Sequence, residues 1–507
     1  MGIKNIEFDA NQGNAEALVK LGRIYLSGMG VEVDYKKAHN YFVKAAKEQN
    51  AQGFTYLAYT YAVGLGVDVN EEKAVSYFEK ASELNDLYAS FALGFMYRKG
   101  LFGLDKDEAK ALEYSQKAAN GGFAPAKYEQ AFLLERQAQR LKKSKDPLDN
   151  KKGDELKSQY MSLYKAAADA NYAPALYALA IKYLDEKKDK EAFNLLEKAK
   201  EANYAIAYYA LAYLYDTGRG CTQDFYKSFE YYEQAYELGY KKAVLDIANA
   251  YLYGLGVSQN YKTALDVCRD AVNGGIKEAN YFAGMCFEYG LGVDQNYQKA
   301  IELYGYAKVA EYEPAILRLG QIYDPYYGLG GDEAGAREEY EILADNGNIE
   351  GKAELLKLDF DKDKAANLKA LEELAKDGSS VANEFIGTLY KDGNSVAQDT
   401  KKAIEYFKKA AGFGSKKAIK EIVEIAKLNS DKKLEIEYED KQSLFGSPKK
   451  YFERAKLLKD ENEIERAAFW YATAGLSTIK EENRQKAVDV LKTKITKNQS
   501  GKWESKE

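Results

Sequence analysis

The chain is poor in the residues that most catalytic and metal chemistry requires. Its 507 residues include one histidine, His39, and three cysteines, Cys221, Cys268 and Cys286. An odd, sparse cysteine count without a Cys-x-x-Cys pair makes no disulfide framework. One histidine leaves no His or Cys/His cluster for a metal, and Ser/His or Cys/His catalysis would have to run through His39 alone. That residue reads as a solvated surface side chain, and Cys268 and Cys286 as buried thiols. Six prolines provide no Pro-rich linker. A single core stops growing near ~250–300 residues, so the chain must divide or repeat. No run approaches the ~20 apolar residues of a membrane span. Residues 1–13 lack the apolar stretch of a signal peptide, so a cytoplasmic location is expected. Net charge is −6, from 73 basic and 79 acidic residues. A chain this balanced offers no field of one sign for phosphate backbones or anionic membranes.

Small residues and tyrosines are abundant, and they recur. Anchors that open successive units are Ala17, Gly53, Ala89, Ala126, Ala175, Ala207, Ala243, Ala279, Ala315, Gly351, Ala382 and Ala418, most of them 36 residues apart. Four residues after the anchor stands an aliphatic residue (Leu21, Leu57, Leu93), then a small one (Gly22, Ala58, Gly94), and three further on an aromatic (Tyr25, Tyr61, Tyr97). These spacings form one stripe on a helix. The small residue admits a second helix at close range, and the tyrosine places its ring at that interface with its hydroxyl near the rim. A Gly-x-Gly-apolar loop follows, as at Gly28-Met29-Gly30-Val31 and Gly254-Leu255-Gly256-Val257. Asp34, Asn70, Asp224, Asn260, Asn296 and Asp399 then stand where an N-cap should open the second helix. The loops follow helices rather than strands, which excludes a dinucleotide cradle.

This pattern resembles the Sel-one-like repeat family, relatives of the tetratricopeptide repeats. The resemblance covers roughly residues 14–428, with a weaker echo at 447–475. It implies an all-α, right-handed superhelical solenoid of about twelve antiparallel helix pairs. It also implies an adaptor that binds proteins rather than an enzyme, with no cofactor or metal. The cysteine pairs of some family members linked to β-lactam binding are missing. The Ser-x-x-Lys matches, Ser162–Lys165, Ser447–Lys450 and Ser477–Lys480, have no Ser-Asp-Asn or Lys-Thr-Gly companions.

Residues 1–13 are expected to be a weakly ordered leader, and 14–428 the repeat array. A lengthened unit at about 123–171 turns at Pro147. Residues 429–446 form an irregular insert, with a β-segment or ordered loop at Leu434 to Tyr438. Residues 447–497 form a degenerate repeat and capping helices, at 448–459, 464–474 and about 480–496, and 498–507 a disordered tail.

The core takes offsets +4, +5 and +8 from each anchor, so +2, +6 and +9 form another stripe. By analogy with tetratricopeptide repeats it lines the concave face. Its proposed partner-binding residues are Tyr59, Phe91, Phe95, Arg98, Tyr128, Phe132, Tyr177, Ile181, Tyr209, Tyr213, Asp216, Asn249, Tyr281 and Met285. Rigid aromatics of this kind are enriched in binding hot spots; the competing reading is that they pack the superhelix itself. The expected partner is a protein or peptide. Single-stranded nucleic acid stacked on the tyrosines is the alternative, opposed by the acidic balance and the scarcity of groove arginines. A hydrolase using carboxylates alone is a weaker one. A homodimer through the solenoid ends stays open.

Overall fold

Short polar side chains punctuate the chain and so determine where its helices start. Asn14, Asn50, Asp86, Ser379 and Ser415 each accept the backbone N–H three residues on and open the first helix of a hairpin. Asp34, Asn70, Asp224, Asn260, Asn296 and Asp399 do the same for second helices, as their spacing predicts. Such caps each contribute about 1 kcal/mol. Several first helices end on glycines at positive φ, including Gly28, Gly64, Gly254, Gly290 and Gly393, whose N–H satisfies the carbonyl four residues back.

The structure, a computed structural model, describes residues 3–435 except 145, 328–330 and 414, together with 438, 495–497 and 503–505. It divides into two units, Met1–Ala207 with Arg219–Cys221, and the remainder from Tyr208. The first unit starts with α1 (Ile3–Asn11). Hairpins follow: α2 (Ala15–Ser27) with α3 (Tyr35–Lys47), α4 (Ala51–Val63) with α5 (Glu71–Glu83), and α6 (Leu87–Lys99) with α7 (Glu108–Asn120). Then come α8 (Ala124–Lys142) with α9 (Pro147–Asp169), and α10 (Ala173–Asp185) with α11 (Asp189–Glu201). Helices α8 and α9 are the lengthened pair, and Pro147 opens α9.

The second unit takes α12 (Ala205–Thr217) from Tyr208 onward, with α13 (Phe225–Glu237). After it come α14 (Val244–Tyr253) with α15 (Tyr261–Asn273), α16 (Asn280–Tyr289) with α17 (Tyr297–Val309), and α18 (Glu313–Tyr323) with α19 (Glu333–Asp345). The last are α20 (Ile349–Leu358) with α21 (Lys364–Lys376), α22 (Ser380–Asp392) with α23 (Thr400–Gly412), and α24 (Lys416–Leu428). All twelve anchors are buried. The only strands among the described residues are β1 (Ile495–Lys497) and β2 (Trp503–Ser505), which pair antiparallel.

The small residue at +5 is a seat for one large side chain of the second helix. A Cβ on Gly284 would lie 2.7 Å from the Tyr304 ring, and one on Gly387 2.8 Å from that of Phe407. Tyr304, Tyr340 and Phe407 are fully buried there. At the +8 position, Tyr25, Tyr61, Tyr97 and Tyr390 stack on Tyr41, Tyr77, Tyr114 and Tyr406 of the second helix. Lys37, Lys73, Lys110 and Lys402 lie over those +8 rings, an outer cover that the spacing did not reveal.

The second loop glycine does more than reverse the chain. A Cβ on Gly66 would overlap the Tyr35 carbonyl of the preceding unit, whereas one on Gly103, also at positive φ, would meet nothing. Gly103→Ala should therefore cost only the ~1–2 kcal/mol of a left-handed alanine. Gly66→Ala should cost distinctly more and lower the thermal midpoint further; equal losses would show that the contact between units is soft.

Four expectations are corrected. Residues 3–11 form α1 rather than a loose leader, because Ile3, Ile6 and Ala10 pack on α2 at Leu18 and Val19. His39 is buried rather than solvated: its Nδ1 is 2.9 Å from Thr60 Oγ1 and its ring meets Tyr61 edge-on. Burial, with Lys73 nearby, holds its imidazole below the usual range. Residues 432–435 are helical rather than extended: Asp431 caps them through the Leu434 N–H, and Leu434 and Tyr438, four apart, pack on α24. Residues 503–505, expected within a disordered tail, form β2. The expected helices at 448–459, 464–474 and about 480–496 lie outside the described residues, apart from 495 and 496, which belong to β1.

Candidate partner-binding groove

The stripe of proposed groove residues separates into two rows. Aromatics at +2 each touch an aromatic that precedes the next first helix: Phe91 meets Phe123, Tyr128 meets Tyr172, and Tyr177 meets Tyr204. In the second unit Tyr209 meets Tyr240 at 4.7 Å between centroids, and Tyr281 meets Tyr312 at 5.4 Å. All five +2 residues are half-buried. Tyr128 also reaches Tyr164, and burial pushes its hydroxyl up to about 12. This row joins neighbouring repeats.

The +6 row differs. Tyr59 on α4, Phe95 on α6 and Tyr213 on α12 are 38%, 37% and 45% exposed. Phe132, Ile181, Asn249 and Met285 continue this offset half-buried. Met285 joins Tyr281 against the core of α17 and α18.

At +9, some units carry a charge that meets the next repeat. Arg98 forms an ion pair with Glu129, the +3 residue of the next unit, and lies 5.0 Å from the Phe95 ring and 5.3 Å from that of Phe132. Glu288 takes the same place against Arg318, also at +3, and accepts a 2.6 Å hydrogen bond from the Tyr304 hydroxyl.

Asp216 breaks that rule, because its +3 counterpart is another carboxylate, Asp246. Both line a cavity of about 20 Å³, room for a single water, with Ser228, Tyr232 and Asn249. Burial pushes Asp246 from its ordinary 3.8 up to about 6; a hydrogen bond from Tyr209 opposes the rise and Asp216 adds to it. Burial raises Asp216 as well. A carboxyl raised in the folded state stabilises it most below pH 3.8, and that contribution is lost as pH rises through about 6. Asp246→Asn keeps an acceptor for Tyr209 without the buried charge. Its stability relative to the parent should be near zero at pH 4 and grow toward roughly 3 kcal/mol by pH 7. Urea unfolding at the two pH values measures this; a difference independent of pH would contradict it.

Reading the sequence missed two sets of residues. The aromatics at −3 (Phe123, Tyr172, Tyr204, Tyr240 and Tyr312) repeat with the same period as the anchors and were legible. The +3 charges acquire meaning only beside the +9 residue of the previous unit.

The Sel1 repeat family profile matches residues 15–50, 55–86, 87–123, 173–204, 205–240, 242–266, 277–307 and 380–412. No curated protein matches the chain in sequence. Solved structures similar to it include c5321, a protective antigen of uropathogenic Escherichia coli with an SLR fold. It is 20% identical, with 96% of this chain and 91% of that chain covered, and a TM-score of 0.38. A Sel1 repeat protein from Oxalobacter formigenes is 19% identical, with 82% of this chain and 87% of that chain covered, and a TM-score of 0.28. Yeast Tom70 is 17% identical, with 94% and 95% covered and a TM-score of 0.29. With eight matched repeats spread over half of its length, each falling on the helical hairpins described above, the chain belongs to the Sel1 repeat family.

Proposed function

We propose that this protein is a non-catalytic scaffold that holds a partner polypeptide against the exposed aromatics of its first helices. Sel1 repeat proteins generally mediate protein–protein interaction, which supports the class. The observation that favours this surface is the exposed +6 rings, Tyr59 and Phe95 in the first unit and Tyr213 in the second, because large exposed aromatics are the usual anchors of a partner. The +2 row gives those helices a rigid mount. Arg98, held between Phe95 and Phe132, adds a guanidinium at the rim. Among the described residues no helix is long and apolar enough to cross a membrane.

The test is recovery of partners by the intact chain and by a variant carrying Tyr59→Ala, Phe95→Ala and Tyr213→Ala. Loss of a specific partner with helicity unchanged supports the groove. Undiminished recovery rejects it.

A further inference from the structure

A second feature at the +6 register lies within the second unit. Lys357 and Thr388 occupy the +6 register of the units that open at Gly351 and Ala382. Between them is a cavity of about 350 Å³, within the size range of sites that take a small molecule or a whole side chain. Phe385 forms one wall, edge-on to Phe360 at 5.0 Å and to Tyr326 at 6.3 Å, and Leu389 adds an aliphatic surface.

The charges around it are unequal. Lys357 is buried and already engaged: its Nζ donates to Glu354 and, at 3.0 Å, to the Tyr327 hydroxyl. It also lies 4.1 and 4.2 Å from the Tyr327 and Tyr326 rings. The Thr388 hydroxyl donates to the Glu384 carbonyl of its own helix. Asp361 and Asp392 line the same cavity with exposed carboxylates, held only by exposed or partly exposed lysines, Lys364 at 3.1 Å and Lys391 at 3.8 Å. Pairs of that kind contribute little and exchange readily. The cavity therefore combines apolar and aromatic walls with two exposed carboxylate acceptors.

We infer that this pocket receives a basic side chain, arginine above all, from the segment of partner polypeptide that lies along the groove. The methylene stem packs against Phe360, Phe385 and Leu389, and the guanidinium donates to Asp361 and Asp392. Arginine suits the site better than lysine because its planar fork can bond a carboxylate with two parallel N–H groups. The assignment rests on the groove reading for the source of the side chain, but its chemistry can be tested alone.

Saturation-transfer NMR on the intact chain, with N-acetyl-arginine amide, N-acetyl-leucine amide and N-acetyl-glutamate amide as probes, tests it. Transfer should be strongest to the arginine probe. It should fall at least about fivefold in the Asp361→Asn/Asp392→Asn variant and in Phe385→Ala, with circular dichroism unchanged. It should persist in the Tyr59/Phe95/Tyr213 alanine variant. Phe385 packs on Phe360, so its loss could disturb the fold; the two exposed aspartates keep the test decisive. Equal transfer to the arginine and leucine probes, or full transfer in the double Asn variant, overturns the proposal. If transfer fails while the triple alanine variant still loses its partner, only the pocket is removed. If transfer succeeds while that variant keeps its partner, the groove reading falls instead.

Discussion

Replacing Arg318 with leucine should cost about 3–5 kcal/mol, the loss expected when a buried ion pair is broken from one side. Glu288 is only 1% exposed. Burial alone would raise its carboxyl, but hydrogen bonds from Arg318 and Tyr304 more than offset this and hold it below the usual range. Without the guanidinium, only the Tyr304 and Tyr289 hydroxyls remain to hold a charge in the seam between α16 and α18. Removing both partners, as Arg318→Leu with Glu288→Leu, should restore most of the loss, because no orphaned charge is left behind.

The pH dependence should reverse with it. In the parent, the depressed carboxyl contributes stability above the ordinary glutamate range, lost as pH falls through its folded value. In the single variant a raised carboxyl makes the fold more stable as pH falls. Because repeats interact mainly with their neighbours, the damage should also separate the unfolding of the array on either side of this joint. Urea unfolding of the parent and the single and double variants measures all three effects. A single-variant loss below about 1 kcal/mol would show that the pair is dispensable.

Loss of the three exposed groove rings should have the second large effect, on binding rather than stability. Aromatic anchors that matter at interfaces are worth 2 kcal/mol or more when truncated. Removing Tyr59, Phe95 and Tyr213 together should therefore weaken the partner at least ~100-fold. All three are substantially exposed, so each truncation should move stability by no more than about 0.5 kcal/mol. Truncating Tyr209, which packs on Tyr232 and Tyr240, should instead destabilise the fold and says little about a ligand.

The division between those residues marks where sequence reading stopped. The period, the hairpin core, the glycine loops and the caps were legible because each rests on local chemistry that repeats: a small residue under a large one, a positive φ, an oxygen three residues before an N–H. The stripe at +2, +6 and +9 was legible only as a spacing along each first helix. Its separation into a packing row and an open row was not, because it depends on the −3 aromatic of the following repeat. His39 was misread because its partners, Thr60 and Tyr61, lie on the next unit. Leu434 and Tyr438 alternate like a strand, yet their spacing of four serves a helical turn equally well, and Asp431 decides between them. The mismatch of Asp216 with Asp246 emerges only where two repeats meet.

Site-directed photo-crosslinking tests the central claim most directly. A benzophenone side chain at Tyr59 or Tyr213, in the open row, should crosslink to a bound polypeptide. The same group at Tyr35 or Tyr226, similarly exposed but at the start of second helices, should not. Crosslinks that form equally at all four positions, or only from the second helices, would contradict the account.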